Sequence, residues 1–310
     1  MSLRTARRDD LPALVQLWNR SALFDPVTPA LLEEKIWGDP DFDADCALVD
    51  DHLQAFGLGV CRQERGYVKL LAVAPEARRR GLGGELLQAL ESRLGRESIP
   101  PSRGAKGGVS SIRVCESFPN YLQPGIDVRY TQGLLFFEKH GYKRIGETYN
   151  LDCDLRGCNL TEPAPGPEGV RRARREDRES VMEFLDRHFP AWRPEVASMF
   201  ERDPVSLHIA VDGDRVLGFA GYDANNLGTG WFGPMGTDPA ARGMGLGRSL
   251  LRRCLVDLQA QGLERCTIPW VGPYAFYARH CDARIDRVFW RYEKNVGPGG
   301  SSVQTDRDEA

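Results

Sequence analysis

The chain has 310 residues, 41% of them apolar, and a formal net charge of −3. That is length for about two domains with ordinary cores, and the near-neutral balance excludes a global pull toward nucleic acid or an anionic membrane. No apolar run nears the roughly 20 residues of a membrane-spanning helix, and the eight cysteines are scattered without a CxxC pair, which argues for reduced structural thiols and against a metal site.

From the N-terminus, Leu11, Leu14, Val15 and Trp18 recur at helical spacing and predict a helix over 11–20, with Asp9 or Asp10 as its N-cap. A second helix follows over 31–37. Residues 46–50 and 55–61 read as strands joined by a turn at Asp50-Asp51, 68–73 as a buried strand and 83–94 as a helix. Then come a strand over 110–115, a helix over 132–140 closed by Gly141, and an alternating strand over 145–155. Residues 161–169 (TEPAPGPEG) form a Pro-rich polar spacer. The order then repeats: helices over 176–188 and 193–200, strands over 208–212 and 215–222 around Asp212-Gly213-Asp214, and a strand over 231–237. A helix over 247–261, a strand over 266–271, a short helix over 273–280 and a strand over 286–293 complete it. The tail 297–310 is rich in Gly, Ser and charge and reads as disordered.

One phrase occurs twice. Arg78-Arg79-Arg80-Gly81-Leu82-Gly83 leads into Leu86-Leu87, and Arg242-Gly243-Met244-Gly245-Leu246-Gly247 leads into Leu250-Leu251, 164 residues later. Each follows a strand ending near a proline and opens an amphipathic helix, the layout of a backbone-amide nest for a pyrophosphate. Ala6-Arg7-Arg8-Asp9-Asp10 likewise matches Ala173-Arg174-Arg175-Glu176-Asp177 at an offset of 167. The segment Phe136-Phe137-Glu138-Lys139-His140 matches Phe276-Tyr277-Ala278-Arg279-His280 at an offset of 140, so the first half carries 24 extra residues. The chain is a duplication. Its expected division is a first domain over 1–158 with an insertion at about 95–130, a linker over 159–169, and a second domain over 170–296.

The strand, the Arg-x-x-Gly-x-Gly turn, the helix, a further strand and a last helix with its aromatic pair resemble the Gcn5-related N-acetyltransferase (GNAT) superfamily, twice and over nearly the whole chain. The tandem layout is similar to that of mycothiol synthase. The resemblance implies an α/β (α+β) fold of two tandem GNAT-like domains, each a mixed, mostly antiparallel central sheet flanked by helices. It also implies acetyl-CoA as donor.

On that basis Arg242, Gly243, Met244, Gly245, Leu246, Gly247 and Arg248 are the pyrophosphate cradle. An amide at Met235 or Gly236, with Thr237 at the strand end, faces the acetyl group. Val73, Arg78, Arg79, Arg80, Gly81, Leu82, Gly83 and Gly84 are the first half's counterpart. The plain alternative for either is a tight strand-to-helix turn that needs glycine. Acetyl transfer to an amine needs an oxyanion donor and a proton for the leaving thiolate. Tyr277 is the implied acid, or else a packed core aromatic. The first half has Phe137 there, which cannot donate a proton, so the second half is the expected catalyst. Neither 68–73 nor 231–237 contains a carboxylate, and no general base is assigned. Asp238, just beyond, suits a cap, and a lone strand histidine such as His208 is more often structural. Asp127 is a candidate for a cationic acceptor, or part of an ordinary turn. Trp270 and Tyr274 are candidates to line the acceptor pocket, or core residues.

The expected function is transfer of acetyl from acetyl-CoA to a primary amine of a small molecule by direct attack in a ternary complex. The alternatives are a silent protein that senses coenzyme A or an amine, and an acetyltransferase of protein lysines or N-termini. The expected partner is a small-molecule amine, with no nucleic acid, membrane or metal. The expected state is a monomer with an internal pseudo-dimer, or a homodimer. With no signal-peptide apolar region at its start, the chain is expected to be cytoplasmic.

Overall fold

Strands that alternate and helices with one apolar stripe must cover one another. The computed structural model describes residues 2–95, 109–156 and 169–296, and in it the chain forms two compact units. The first comprises residues up to Ser117, Tyr121–Gly146 and the chain from Trp290 onward. The second comprises Phe118–Asn120 and Glu147–Phe289.

In chain order the elements are β1 (Leu3–Thr5), α1 (Leu11–Ser21), α2 (Pro29–Ile36), β2 (Ala47–Asp50), β3 (Ala55–Arg62), β4 (Arg65–Val73), α3 (Leu82–Leu94), β5 (Ser111–Val114), β6 (Ile126–Asp127), α4 (Thr131–Lys139) and β7 (Lys143–Asp154). There follow β8 (Val170–Arg172), α5 (Arg178–His188), α6 (Arg193–Met199), β9 (Leu207–Asp212), β10 (Arg215–Tyr222), β11 (Phe232–Thr237), α7 (Leu246–Ala260), β12 (Arg265–Ile268), α8 (Tyr274–Cys281) and β13 (Arg284–Asn295). The sequence reading missed β1, β6 and β8, which are two or three residues long and too short to show a period.

In the first unit β1, β2, β3 and β4 pair antiparallel in turn, and β4 pairs parallel with β5. One face of this sheet packs on α1 and α2 through Leu14, Leu17, Trp18, Leu32, Ile36 and Phe56. The other packs on α3 and α4 through Leu86, Leu87, Leu90, Ile112 and Phe137. In the second unit β8, β9, β10 and β11 pair antiparallel. Val181, Phe184, Leu185, Met199 and Phe219 cover one face, and Leu250, Leu251, Cys254, Leu258 and Tyr277 the other. Each such side chain contributes about 1.5–3 kcal/mol by leaving water.

The duplication extends to details. Asp10 accepts the Arg7 amide at 2.8 Å and pairs with Arg4, and Asp177 accepts the Arg174 amide at 2.6 Å and pairs with Arg171. The carboxylate expected to cap the first helix closes the 3-10 turn before it instead. β5 and β12 begin 154 residues apart, so ten of the extra residues of the first half precede β5 and fourteen follow it. The seven described cysteines are free thiols. The expected linker and tail lie almost wholly outside the described residues.

The compact units are not the contiguous halves drawn from the sequence. β7 begins in the first unit and from Glu147 belongs to the second, where Leu151–Asp154 pair antiparallel with β12. β13 begins in the second, and its end returns to the first, where Glu293, Lys294 and Asn295 pair with Arg113, Ile112 and Ser111 of β5. Tyr292 is fully buried there and donates to Glu138 at 2.6 Å. Hydrophobic periodicity reports that a strand is half-buried and carries no record of which sheet it joins. Expressed separately, residues 1–160 and 161–310 each lack a strand of their own unit. Both fragments are expected to be insoluble or molten alone and to give a folded complex when co-expressed, checked by amide-exchange protection of β5 and β12. A stably folded 1–160 fragment would contradict the exchange.

Candidate active site

The site starts where a strand loses its parallel neighbour. In the second unit the last contact between the β11 and β12 chains is a parallel bridge from Trp231 to Thr267, with the Thr267 amide donating to Gly230 at 2.9 Å. In the first, β4 follows β5 only to Val68, whose carbonyl accepts the Cys115 amide at 2.9 Å. Both strands bulge at the parting. Lys69 is the extra residue in β4, and Gly233-Pro234 stands opposite one residue of β10. From there to Thr237 and Val73, one edge of each strand faces no strand among the described residues, and its main-chain groups need partners other than a ladder.

Beyond the strand the chain turns into a helix through a left-handed residue. Gly81 (φ +90°) and Gly245 (φ +78°) are the N-caps of α3 and α7. A side chain there would be strained, which is why both positions are glycine. In α7 the first intrahelical bond runs from Ser249 to Gly245 at 3.2 Å, so the amides of Leu246, Gly247 and Arg248 precede it. With the helix dipole they form an anion seat. Nothing lies within 4 Å of where a Cβ on Gly243 or Gly245 would stand, and Met244 is exposed. Arg242 and Arg248 make no side-chain hydrogen bond or ion pair among the described residues, so both guanidinium groups are free to meet an anion. Gly247 lies against the Phe276 ring, 3.5 Å from its would-be Cβ, so α8 braces the turn. The expected cradle residues of the second half are thus brought together at one strand end and one helix start.

The first unit builds the same backbone and fills it differently. Arg78 folds back to donate to the carbonyls of Val73 and Ser21, each at 3.1 Å, and the Ser21 hydroxyl donates to Val73 at 3.2 Å. A carboxylate oxygen of Glu85 stands 3.5 Å from a Cβ on Gly81, at the mouth of the nest, where the second unit has Ser249. Arg79 takes the left-handed conformation (φ +64°) that Gly243 takes in the second unit. Arg80, Leu82, Gly83 and Gly84 follow in place, with Gly83 against Phe136 and Gly84 against His140.

Behind β4 lies a buried ion network. The Lys69 ammonium bonds Asp39, Asp39 also pairs with Arg62 at 2.7 Å, and Arg62 bonds Asp41 and the Ser117 carbonyl. Burial pushes the Lys69 pKa down to about 7, against the pull of Asp39. These charges stand behind the stretch where the second unit places Gly233, and periodicity arguments, which track apolar residues, missed them.

In the second unit a different surface faces the strand. The Phe189 ring lies over Gly236, 2.7–3.0 Å from a would-be Cβ, and stacks on Trp192 with centroids 5.1 Å apart. Both rings are half-buried. At the matching positions of the first unit stand Ala22 and Asp25. Tyr277 is 8% exposed, with its ring edge-on to Phe232 at 6.0 Å, where β11 leaves β12. Its hydroxyl makes no hydrogen bond among the described residues, and burial pushes its pKa well above the usual phenol value, so it stays protonated at neutral pH. It is a core residue that keeps its proton at the parting of the strands. Phe137 replaces it in the first unit.

The remaining candidates divide. Asp127 is 1% exposed and its carboxylate is held inside its own loop, accepting the Arg129 amide at 2.9 Å and its guanidinium at 2.9 and 2.6 Å. It is therefore already neutralised and not set to bind a cationic acceptor. Trp270 is half-buried, and its amide donates to Asn150 at 3.1 Å, while Tyr274 is 55% exposed at the start of α8. Asp238 caps the turn after β11 by accepting the Ala240 amide at 2.9 Å and pairs with Arg215 at 2.6 Å. His208 pairs with Asp257 at 2.6 Å, eleven residues along α7 from Leu246, and is structural.

The chain belongs to the GNAT acetyltransferase family. A family model described as the acetyltransferase (GNAT) family matches residues 170–282, and one described as an acetyltransferase (GNAT) domain matches residues 43–144. Over 213 residues the chain is 32% identical to a mycothiol acetyltransferase of Actinosynnema mirum, covering 63% of this chain and 62% of that one. It thus spans under two thirds of that relative's length. Over 96 residues it is 33% identical to an acetyltransferase of Pectobacterium atrosepticum, covering 30% of this chain and 67% of that one. Among solved structures, a tandem GNAT protein from the clavulanic acid biosynthesis pathway superposes with a TM-score of 0.66 at 14% identity, covering 96% and 99% of the two chains, a likeness of fold.

The Lys69 network generates a pH signature. Folded, the ammonium releases its proton near pH 7; unfolded, it holds it to about 10.5. The unfolded state binds more protons between those values, so this group makes stability rise with pH across that window and plateau above it. The urea midpoint is expected to rise from pH 7 to pH 9, and Lys69→Met to flatten that rise. An unchanged slope in the variant would show Lys69 to titrate normally.

Proposed function

We propose that this protein moves the acetyl group of acetyl-CoA to a primary amine of a small molecule, by direct attack in a ternary complex, and that the second unit does the chemistry. The observation that carries this reading is the contrast between the two turns. Arg242 and the first amides of α7 are uncommitted, whereas Arg78 is spent on its own strand and Glu85 stands in the mouth of the matching nest. The resemblance to a mycothiol acetyltransferase supports a small-molecule acceptor.

Acetyl-CoA supplies an activated thioester. The chain's own residues then divide the work. Leu246, Gly247 and Arg248 amides, with Arg242 and Arg248, hold the diphosphate. The free edge of β11 offers main-chain partners to the donor's amide-bearing arm. A β11 amide at Met235 or Gly236 faces the carbonyl oxygen and stabilises charge that develops on it. Tyr277 holds its proton until a thiolate needs it. The half-buried faces of Phe189 and Trp192 exclude water on the acceptor side. The first unit, with Phe137 in place of the acid and ions behind its strand, serves as a structural partner.

Calorimetric titration of acetyl-CoA tests the assignment. One site is expected, abolished by Gly245→Trp and retained in Gly81→Trp. Loss in Gly81→Trp alone would move the cofactor to the first unit, and no binding by the parent protein would end the acetyl-CoA reading.

Tyr277→Phe removes a hydroxyl that no described residue bonds, so the variant is expected to keep its stability and acetyl-CoA affinity. It is expected to lose about 10²-fold in kcat with an acetylated amine as product, read in a thiol-release assay. Unchanged kcat would assign Tyr277 to packing alone.

A further inference from the structure

The far end of α7 carries a cavity that acetyl transfer does not use. Its volume is about 270 Å³ and it opens to solvent. Ser206 and Tyr222 line it from the sheet, Arg202 and Asp203 from the segment after α6, Asp223 from the end of β10, and Gln261 from the C-cap of α7. α7 has fifteen residues, so about 22 Å of helix separates this cavity from the Arg242 turn.

Two of its polar groups are buried without a partner. Ser206 is 3% exposed and its Oγ has no hydrogen bond among the described residues, nor has Nε of Arg202. The Arg202 guanidinium forms no ion pair among the described residues. Groups of this kind are normally satisfied, and orphans that line one cavity point to something that belongs there. The Tyr222 hydroxyl, in contrast, accepts from Arg172 at 3.1 Å and serves as fixed wall. Asp203 and Asp223 also line it, with one Asp223 carboxylate oxygen accepting the Gly228 amide at 3.2 Å, and the C-terminal end of α7, at Gln261, favours a positive group through the helix dipole. Pro204 and Leu227 add a short apolar wall.

A simple anion would meet two carboxylates, and a simple cation would meet Arg202. We infer that this cavity binds a small zwitterion of the α-amino-acid class. Its carboxylate takes the Arg202 guanidinium and the Ser206 hydroxyl, and its ammonium takes the carboxylates of Asp203 and Asp223. The volume admits a small side chain. The inference stands on unit-two residues remote from the turn and does not depend on the acetyl-transfer reading.

The test is calorimetric titration of the full chain with glycine, L-alanine, L-serine and L-glutamine, beside N-acetyl-L-alanine, which lacks the ammonium, and L-alaninamide, which lacks the carboxylate. At least one free amino acid is expected to bind with a Kd of about 1 mM or tighter, and each blocked analogue of alanine at least about tenfold more weakly than alanine itself. Ser206→Ala and Arg202→Gln, each verified as folded by circular dichroism, are expected to weaken binding at least about tenfold. Three results overturn the inference: no binding by any of the four amino acids, equal binding of either blocked analogue, or binding that survives both substitutions, which would place it in the acetyl-acceptor pocket.

Discussion

A strand whose parallel neighbour leaves it halfway along has a row of main-chain N–H and C=O groups with no partner, and such groups must be paired by something. That constraint organises this protein. It occurs twice, at Val68 in β4 and at Trp231 just before β11, each time beside a one-residue bulge. The left-handed glycine that follows directs the chain into a helix whose first amides point to the same opening. In both units a strand end and a helix start thus meet at a left-handed glycine, and the units differ in the side chains placed there.

The two units answer differently with nearly the same backbone. In the first, Arg78 and Ser21 pair the strand-end carbonyl and ions collect behind β4. In the second, the corresponding arginine is uncommitted, glycine stands at the bulge, and two stacked aromatic rings lie on the strand. A duplicated backbone thus carries two different sets of side-chain contacts at the same turn. Burying a lysine, an arginine and two carboxylates confers little net stability by itself.

Each unit is completed by a strand from the other half of the sequence. β13 completes the sheet of the unit that the chain built first, and β7 supplies β12 of the other with its neighbour. Each unit therefore depends on residues far away in sequence, such as Tyr292 against Glu138. At the C-terminal end of α7, about 22 Å from the glycine turn, the second unit has a cavity whose lining includes the orphaned Ser206 hydroxyl and Arg202 Nε.

The fold class, the duplication, most of the helices and strands and both glycine turns were legible in the sequence. Each rests on local chemistry: a period of 2 or 3.6, a residue at positive φ, a short motif at a fixed offset. Tyr277 and Phe137 were legible as well, because their aromatic segment repeats. What Arg78 and Asp127 do was not legible. Whether an arginine meets a phosphate or its own strand, or whether an aspartate is open or clasped by Arg129, depends on side-chain partners that spacing does not encode. The Lys69–Asp39–Arg62 network and the Phe189–Trp192 shelf join residues that lie on separate elements, and no window of sequence contains the first of them. Strand exchange was hidden for the same reason. Alternation states that a strand has one buried face, and only the packed sheet decides which neighbour its hydrogen bonds find.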